Sequence, residues 1–295
     1  MRETLFLQYY KKNAKAMMKD KIATTLFWGI TLIIISLIAY ILFTIISKGL
    51  GFITLDFLLT LPDEIEAGGG IGPFIFNSLY ILILSLLFSL PFGIGAGIFL
   101  AEYAPNNKYT EIVRTCVEGL ASVPSIVIGL FGYVLFVDFF EIGLTIIGAS
   151  ITLGLLNLPI LTRVSEEAIH TVPQELREAS FAIGASKAQT IIKVVVPAAL
   201  NGILTGISLT ACRAFGESAV ILLAGGTSSS GTMWDFHLLS QGGTLPVHLW
   251  YVQSEALVED AKEIANKSAA VLVIAVFLIS FITRIPIWIR EKKIK

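Results

Sequence analysis

Apolar windows of about twenty residues, the length at which a helix crosses a ~30 Å hydrocarbon layer, recur six times along the chain. Residues 22–47 lie between Lys21 and Lys48, and 74–100 fall within the charge-free stretch from Glu66 to Glu102. Residues 119–137 run from Glu118 to Asp138, and 142–162 from Glu141 to Arg163. A fifth window begins near Pro197 and continues past Arg213 and Glu217 to Ala224; the sixth, 268–289, contains Arg284. The pattern predicts an all-α polytopic membrane protein with six transmembrane helices. Its first window is longer than a signal-peptide core and is followed by no small-residue cleavage pattern, so it is expected to remain as a span.

Charge decides the orientation. With the N-terminus inside, seventeen basic residues face the cytoplasm: Arg2, Lys11, Lys12, Lys15, Lys19, Lys21, Lys108, Arg114, Arg163, Arg177, Lys187, Lys193, Arg284, Arg290, Lys292, Lys293 and Lys295. Only Lys48, Lys262 and Lys267 then lie outside, the asymmetry expected for an even number of crossings with both termini cytoplasmic. The outer loops carry eleven acidic residues: Asp56, Asp63, Glu64, Glu66, Asp138, Glu141, Asp235, Glu255, Glu259, Asp260 and Glu263. Such a surface repels a free anion, so an anionic cargo is expected to arrive on a carrier protein.

Composition agrees with the pattern: 55% of the 295 residues are hydrophobic, 15% are charged, and the mean hydropathy is +0.80. Cys116 and Cys212 stand far apart without a Cys-x-x-Cys spacing and suggest neither a disulfide framework nor a metal knuckle. His170, His237 and His248 fall in three loops, His170 on the opposite side from the others, and are not expected to converge on a metal. Ser122, Ser125, Ser218 and the serines at 228–230 have no motif-placed base, so nucleophilic catalysis is not indicated. Gly93-x-Gly-x-Gly97 follows Pro91 inside a span and suits close helix packing or a bend rather than nucleotide binding.

The loop at 163–197 is punctuated as two short helices. Thr171-Val-Pro-Gln174 fits a capping box opening one helix, Gly184 ends it, and Ser186-Lys-Ala-Gln189 fits a second box whose helix is expected to stop at Pro197. The offsets Glu178-Ala179-Ser180, three residues, Gly184, nine residues, Val194-Val195-Val196-Pro197 resemble the EAA loop of ABC importer permeases. Ser180 departs from the second alanine of that pattern, and Val194 and Val196 from its isoleucine and leucine. The resemblance implies a type I (MetI-like) permease core whose loop docks on a separate ATPase chain, with Glu178, Ala179, Gly184 and Pro197 at the coupling contact. No Gly-x-x-x-x-Gly-Lys-Ser/Thr cradle occurs, so the chain is expected to be a transport subunit that binds no cofactor, ATP and magnesium belonging to the partner.

Arg213 and Glu217 stand four residues apart, a spacing that on a helix places them on one face and within touching distance. A charge inside a span suggests a functional site, although a neutralised pair that locks helix packing is the structural alternative. A guanidinium fork suits phosphate oxygens, and a carboxylate can accept the proton that hydrogenphosphate carries and sulfate lacks. Arg213-Ala-Phe-Gly-Glu-Ser218 resembles the fifth-span motif of the PstA-type permease of phosphate-specific ABC importers. Val123-Pro-Ser-Ile-Val-Ile-Gly-Leu-Phe-Gly132 resembles that family's third span, and Leu245-Pro-Val247 its external loop. The resemblance covers residues 72–286 and implies import of inorganic phosphate across a prokaryotic cytoplasmic membrane, with Arg213 and Glu217 in the pathway. It also implies a PstC-type sister permease, a PstB-type ATPase dimer and an external PstS-type phosphate-binding protein, with membrane lipid around them and no nucleic acid. Residues 1–72 then form a generic N-terminal segment with the first span, and 73–295 the permease core. A permease for another oxyanion or small solute, and a secondary transporter, are the alternatives. The latter would be expected to show an internal repeat, and spans one to three and four to six share no self-similarity.

Overall fold

The computed structural model describes residues 2–63, 68–255 and 258–294. Glu64, Glu66 and Lys295 of the charge count lie outside the described residues, as do the side chains of Arg2, Lys11, Lys12, Lys15, Arg290, Lys292 and Lys293. The chain divides into two bodies, residues 1–48 and 49–295. The first is a single helix, α1 (Arg2–Gly49), with a span-length apolar stretch at Ala16–Gly49.

The second body is helical throughout its span-forming parts. Short α2 (Leu55–Leu59) leads to α3 (Gly72–Ile98), which runs on through a π turn at Phe99–Tyr103. Then follow α4 (Lys108–Ala121), α5 (Ser125–Tyr133) with a π turn at Val134–Phe139, and α6 (Ile146–His170). After α7 (Gln174–Ala182), α8 (Lys187–Thr190) continues through a π turn at Ile191–Val195 into α9 (Val196–Phe215). Helices α10 (Ala219–Ala224), α11 (Leu245–Ser254) and α12 (Ala261–Ile294) complete the chain.

Among the described residues five helices are long and apolar enough to cross a membrane, and α4 with α5 makes a sixth crossing only as a bent pair. The expected straight helix over 119–137 is therefore corrected: the chain turns by 90° at 122–124. Pro124 explains the break, because its ring biases Val123 away from helical backbone and removes a donor from the ladder. Where the fifth span was expected to start at Pro197, one helix instead runs from Lys187 to Phe215. The π turn widens the backbone just before Pro197, so the ring avoids the carbonyl one turn back and the helix continues.

Glycines set the packing of α3 on α6. An added methyl at Gly93 would meet Leu161 Cβ at 2.7 Å, and one at Gly97 would meet Ser165 Cβ at 2.6 Å, so the two backbones run parallel in close approach. The core above this contact joins Ile81, Leu82, Leu153, Leu156, Ala214, Phe215 and Val220. The external loop after α10 is strapped to α3 and to the start of α6. Trp234 and Phe236 pack edge-on against Phe76, and Asn77 Nδ2 donates to the Gly243 carbonyl at 3.1 Å. The N–H groups of Ile146 and Ile147, orphaned at a helix start, donate to the carbonyls of Ser240 and Leu238 at 2.9 and 3.0 Å.

Candidate functional site

Two places in the second body hold the residues singled out in the sequence, one within the span-forming helices and one on the cytoplasmic side. The depth of Arg213 follows from helix register. An added methyl at Gly202 would meet Ala168 Cβ at 2.8 Å and one at Gly206 would strike Val164, so α9 runs antiparallel to α6. Carried seven residues further, the register sets Arg213 level with Asn157, about 20 Å from the cytoplasmic end of α6 at 1.5 Å per residue. That is the middle of α6 and lies within its charge-free stretch.

Helix α9 stops there. Phe215 is its last residue, and Gly216 and Glu217 turn back onto the carbonyls of Arg213 and Ala214 at 3.2 Å each. Arg213 and Glu217 therefore do not share a helix face, and the expected contact between them does not form. Glu217 lies beyond the break, where its Oε1 accepts from the Ala219 N–H at 3.1 Å and starts α10. Arg213 makes no ion pair or hydrogen bond among the described residues and is exposed. Leu209, Arg213 and Gly216 form one uncovered stripe at the end of α9, spaced four and three apart. A bare guanidinium inside a span is costly in lipid, so this stripe must face a partner chain, an aqueous path or an anion.

Level with Arg213 but sealed inside the protein, Asn157 is fully buried with no partner among the described residues for either end of its carboxamide, and Ser89 Oγ is likewise unpaired among them. The α3–α6 offset sets Ser89 beside Asn157, and Pro91 beside Pro159. Each proline withholds an N–H from its helix, so this level combines weakened backbone ladders with unsatisfied side chains.

On the cytoplasmic side, α7, Gly184 and α8 form the expected helix, turn and helix. Gly184 has φ +84°, the left-handed region that glycine tolerates, and the Gly184 and Ala185 N–H groups cap α7 on the carbonyls of Phe181 and Ser180. The Ser186–Gln189 capping box is present in both halves. The Thr171–Gln174 box is not: Thr171 ends α6, its hydroxyl donating to the Ala168 carbonyl at 2.7 Å, and Pro173 precedes α7 without a side-chain cap. Ser180 is buried with its hydroxyl 2.9 Å from that of Thr190, which ties α7 to α8. Glu178, Ala179 and Gly184 are exposed and Pro197 is half-buried. Leu176, Phe181, Ile183 and Ile192 present apolar side chains to the outside, Ile183 at 85% exposure.

The anchor of this hairpin was missed in the sequence. Arg177 and Glu102, only 13% and 10% exposed, are joined by hydrogen bonds of 2.7 and 3.0 Å. The same guanidinium donates to the Val172 carbonyl at 2.7 Å and the Ile169 carbonyl at 3.1 Å. It thus satisfies the end of α6 while fixing α7 to the end of the α3 rod. Arg114 does the same for α4, pairing with Glu166 at 2.7 Å and reaching the Leu100 carbonyl at 3.1 Å. A usable signal was present: Glu102 ends a long charge-free window, where a carboxylate needs a cation close by.

Comparison with known proteins agrees with this architecture. Residues 93–290 match the family described as the binding-protein-dependent transport system inner membrane component. A Bacillus subtilis protein named probable ABC transporter permease protein YqgI is 41% identical over 90% of this chain and 94% of its own length. The phosphate transport system permease protein PstA of Yersinia pestis is 32% identical over 96% of this chain and 94% of its own. Among solved structures, an inward-facing MetNI methionine ABC transporter chain superimposes with a TM-score of 0.56 at 25% identity, over 70% of this chain and 89% of that one. The chain belongs to the binding-protein-dependent transport system inner-membrane components, as a multi-pass permease subunit of the cytoplasmic membrane.

Proposed function

We propose that the chain translocates inorganic phosphate as the PstA-type permease of an ATP-driven importer, with Arg213 and Glu217 on the pathway. The observation that carries this reading is the Arg213 guanidinium inside a span, exposed and unpaired among the described residues, beside a helix break. Discontinuous helices at mid-membrane are where transporters hold ionic cargo, and a planar guanidinium matches phosphate oxygens. Glu217 commits one oxygen to the Ala219 N–H, and its second oxygen is available to accept the proton of hydrogenphosphate. Relatives named as phosphate permeases across most of the chain support the same cargo.

In this reading residues 73–295 are the permease core and 1–72 an added segment with the first span. Glu178, Ala179 and Gly184 meet a PstB-type ATPase, and Pro197 sits on the helix that carries the motion inward. The exposed Phe181 and Ile183 supply the apolar contact. ATP and magnesium are held by that ATPase, a PstC-type permease covers the α9 stripe, and a PstS-type binding protein delivers phosphate to an acidic outer face.

Uptake of radiolabelled phosphate into proteoliposomes containing the full complex tests the cargo. Arg213→Ala is expected to abolish uptake in an assembled complex, Arg213→Lys to retain a minor part, and Glu217→Gln to reduce discrimination against sulfate more than the rate. Wild-type uptake by an assembled Arg213→Ala complex overturns the reading.

A further inference from the structure

A second arginine in the membrane is unexplained by the pathway. Arg284 lies inside the span formed by Ala261–Ile289, is exposed, and makes no ion pair or hydrogen bond among the described residues. Its depth is fixed by the bond between the Ser208 and Thr283 hydroxyls, 2.6 Å apart, which sets Thr283 level with Ser208 of α9. By the α9–α6 register that is the level of Thr162, where the charge-free window of α6 gives way to Arg163, so Arg284 stands at the cytoplasmic edge of the apolar layer. An arginine at this depth reaches the headgroup layer by extending toward the cytoplasm.

With Thr205, Ser208, Ile287 and Trp288, Arg284 lines a cavity of about 190 Å³ between α9 and α12. The hydroxyl protons around it are already committed. Thr205 donates to the Asn201 carbonyl at 2.8 Å and Thr283 to the Ile279 carbonyl at 2.8 Å, which leaves Ser208 as donor to Thr283. The free donors are therefore the guanidinium and the Trp288 indole N–H, and a ligand must be an acceptor-rich anion. Toward the membrane centre the same helix exposes Phe277, Leu278, Phe281 and Ile282, an apolar track one acyl chain could follow.

We propose that Arg284 and Trp288, against α9, form a binding site for a phosphate group in the cytoplasmic half of the membrane, separate from Arg213. The phosphate comes either from an anionic lipid headgroup of the inner leaflet or from inorganic phosphate leaving the transporter. Both sources present the same oxygens to the same donors, and only the lipid also uses the apolar track.

The test uses the whole assembled complex, wild type, Arg284→Gln and Arg284→Lys, in mild detergent. Native mass spectrometry reads retention of dioctanoyl phosphatidylglycerol and of dioctanoylglycerol, which lacks the phosphate; phosphorus NMR reads bound inorganic phosphate. If the lipid fills the site, Arg284→Gln weakens phosphatidylglycerol retention about tenfold, the loss of one charge-assisted hydrogen bond, while dioctanoylglycerol is not retained by either protein. If inorganic phosphate fills it, the bound phosphorus signal falls with Arg284→Gln and lipid retention does not. Arg284→Lys keeps part of either signal, which a merely structural role would not produce. Unchanged binding of both probes in an assembled Arg284→Gln complex overturns the site, as does a cross-link showing Arg284 paired with a carboxylate of the sister permease.

Discussion

Removing the buried cation at the root of the cytoplasmic hairpin tests whether Arg177 holds the loop in place. Arg177→Ala strands Glu102, 10% exposed, without its counter-charge and takes donors from the carbonyls of Val172 and Ile169. Breaking one side of a buried pair costs roughly 3–5 kcal/mol, a large share of the 5–15 kcal/mol that keeps a domain folded. Glu102→Ala leaves the guanidinium its carbonyl partners at Val172, Ile169 and Pro173 and is expected to cost less, about 1–3 kcal/mol. The double variant removes the stranded carboxylate and is expected to recover part of the Arg177→Ala loss, a coupling of about 1–3 kcal/mol. Thermal unfolding of the purified complex and co-purification of the ATPase subunit measure the two consequences, stability and loop presentation. Additive losses in the double variant, or an Arg177→Ala complex with wild-type unfolding temperature and ATPase retention, refute the reasoning.

Two further outcomes follow from buried polar groups. Asn157→Leu replaces a carboxamide with no partner among the described residues by an apolar group of similar size, so the complex is expected to gain about 1 kcal/mol of stability and to unfold at higher temperature; a lower unfolding temperature would mean that Asn157 has a partner in the assembly. His248 is buried against Phe74 with ring centroids 4.0 Å apart, and burial lowers its pKa from 6.5 to about 4. In the unfolded chain the imidazole takes up a proton near pH 6.5 and in the folded chain only near pH 4. Stability is therefore full above pH 6.5 and declines as pH falls toward 4, by about 3 kcal/mol. His248→Gln flattens that slope in a thermal-shift series, and an unchanged slope assigns the acid sensitivity to other groups.

Much of the fold was legible because membrane insertion writes itself in long charge-free windows and in loop charge. The residues between Lys187 and Phe215 show where that reading stops. A proline is a stop signal in single-sequence terms, yet a π turn absorbs Pro197, and nothing local announces the widened turn. At 122–124 the opposite happened: Pro124 carried the breaking signal, and an uninterrupted apolar window masked it. Arg213 and Glu217 were found by charge, but their four-residue spacing implied contact only if the helix continued, and Gly216 ends it. Ser180, a departure from the EAA pattern, acquires a reason in its bond to Thr190. The Arg177–Glu102 pair spans 75 residues, a separation at which pattern along the chain says nothing about proximity.

The helix from Lys187 to Phe215 is continuous, with its widened turn at Ile191–Val195 and Pro197 close to the cytoplasmic end. Its 29 residues make a rod about 43 Å long, starting at the Ser186 cap beside the cytoplasmic hairpin and ending at the break by Arg213. A tilt of about 10° around its midpoint moves each end by about 4 Å in opposite directions, by simple leverage over that length. On the proposed reading, such a tilt links the cytoplasmic hairpin to the surroundings of Arg213 through one continuous stretch of helix.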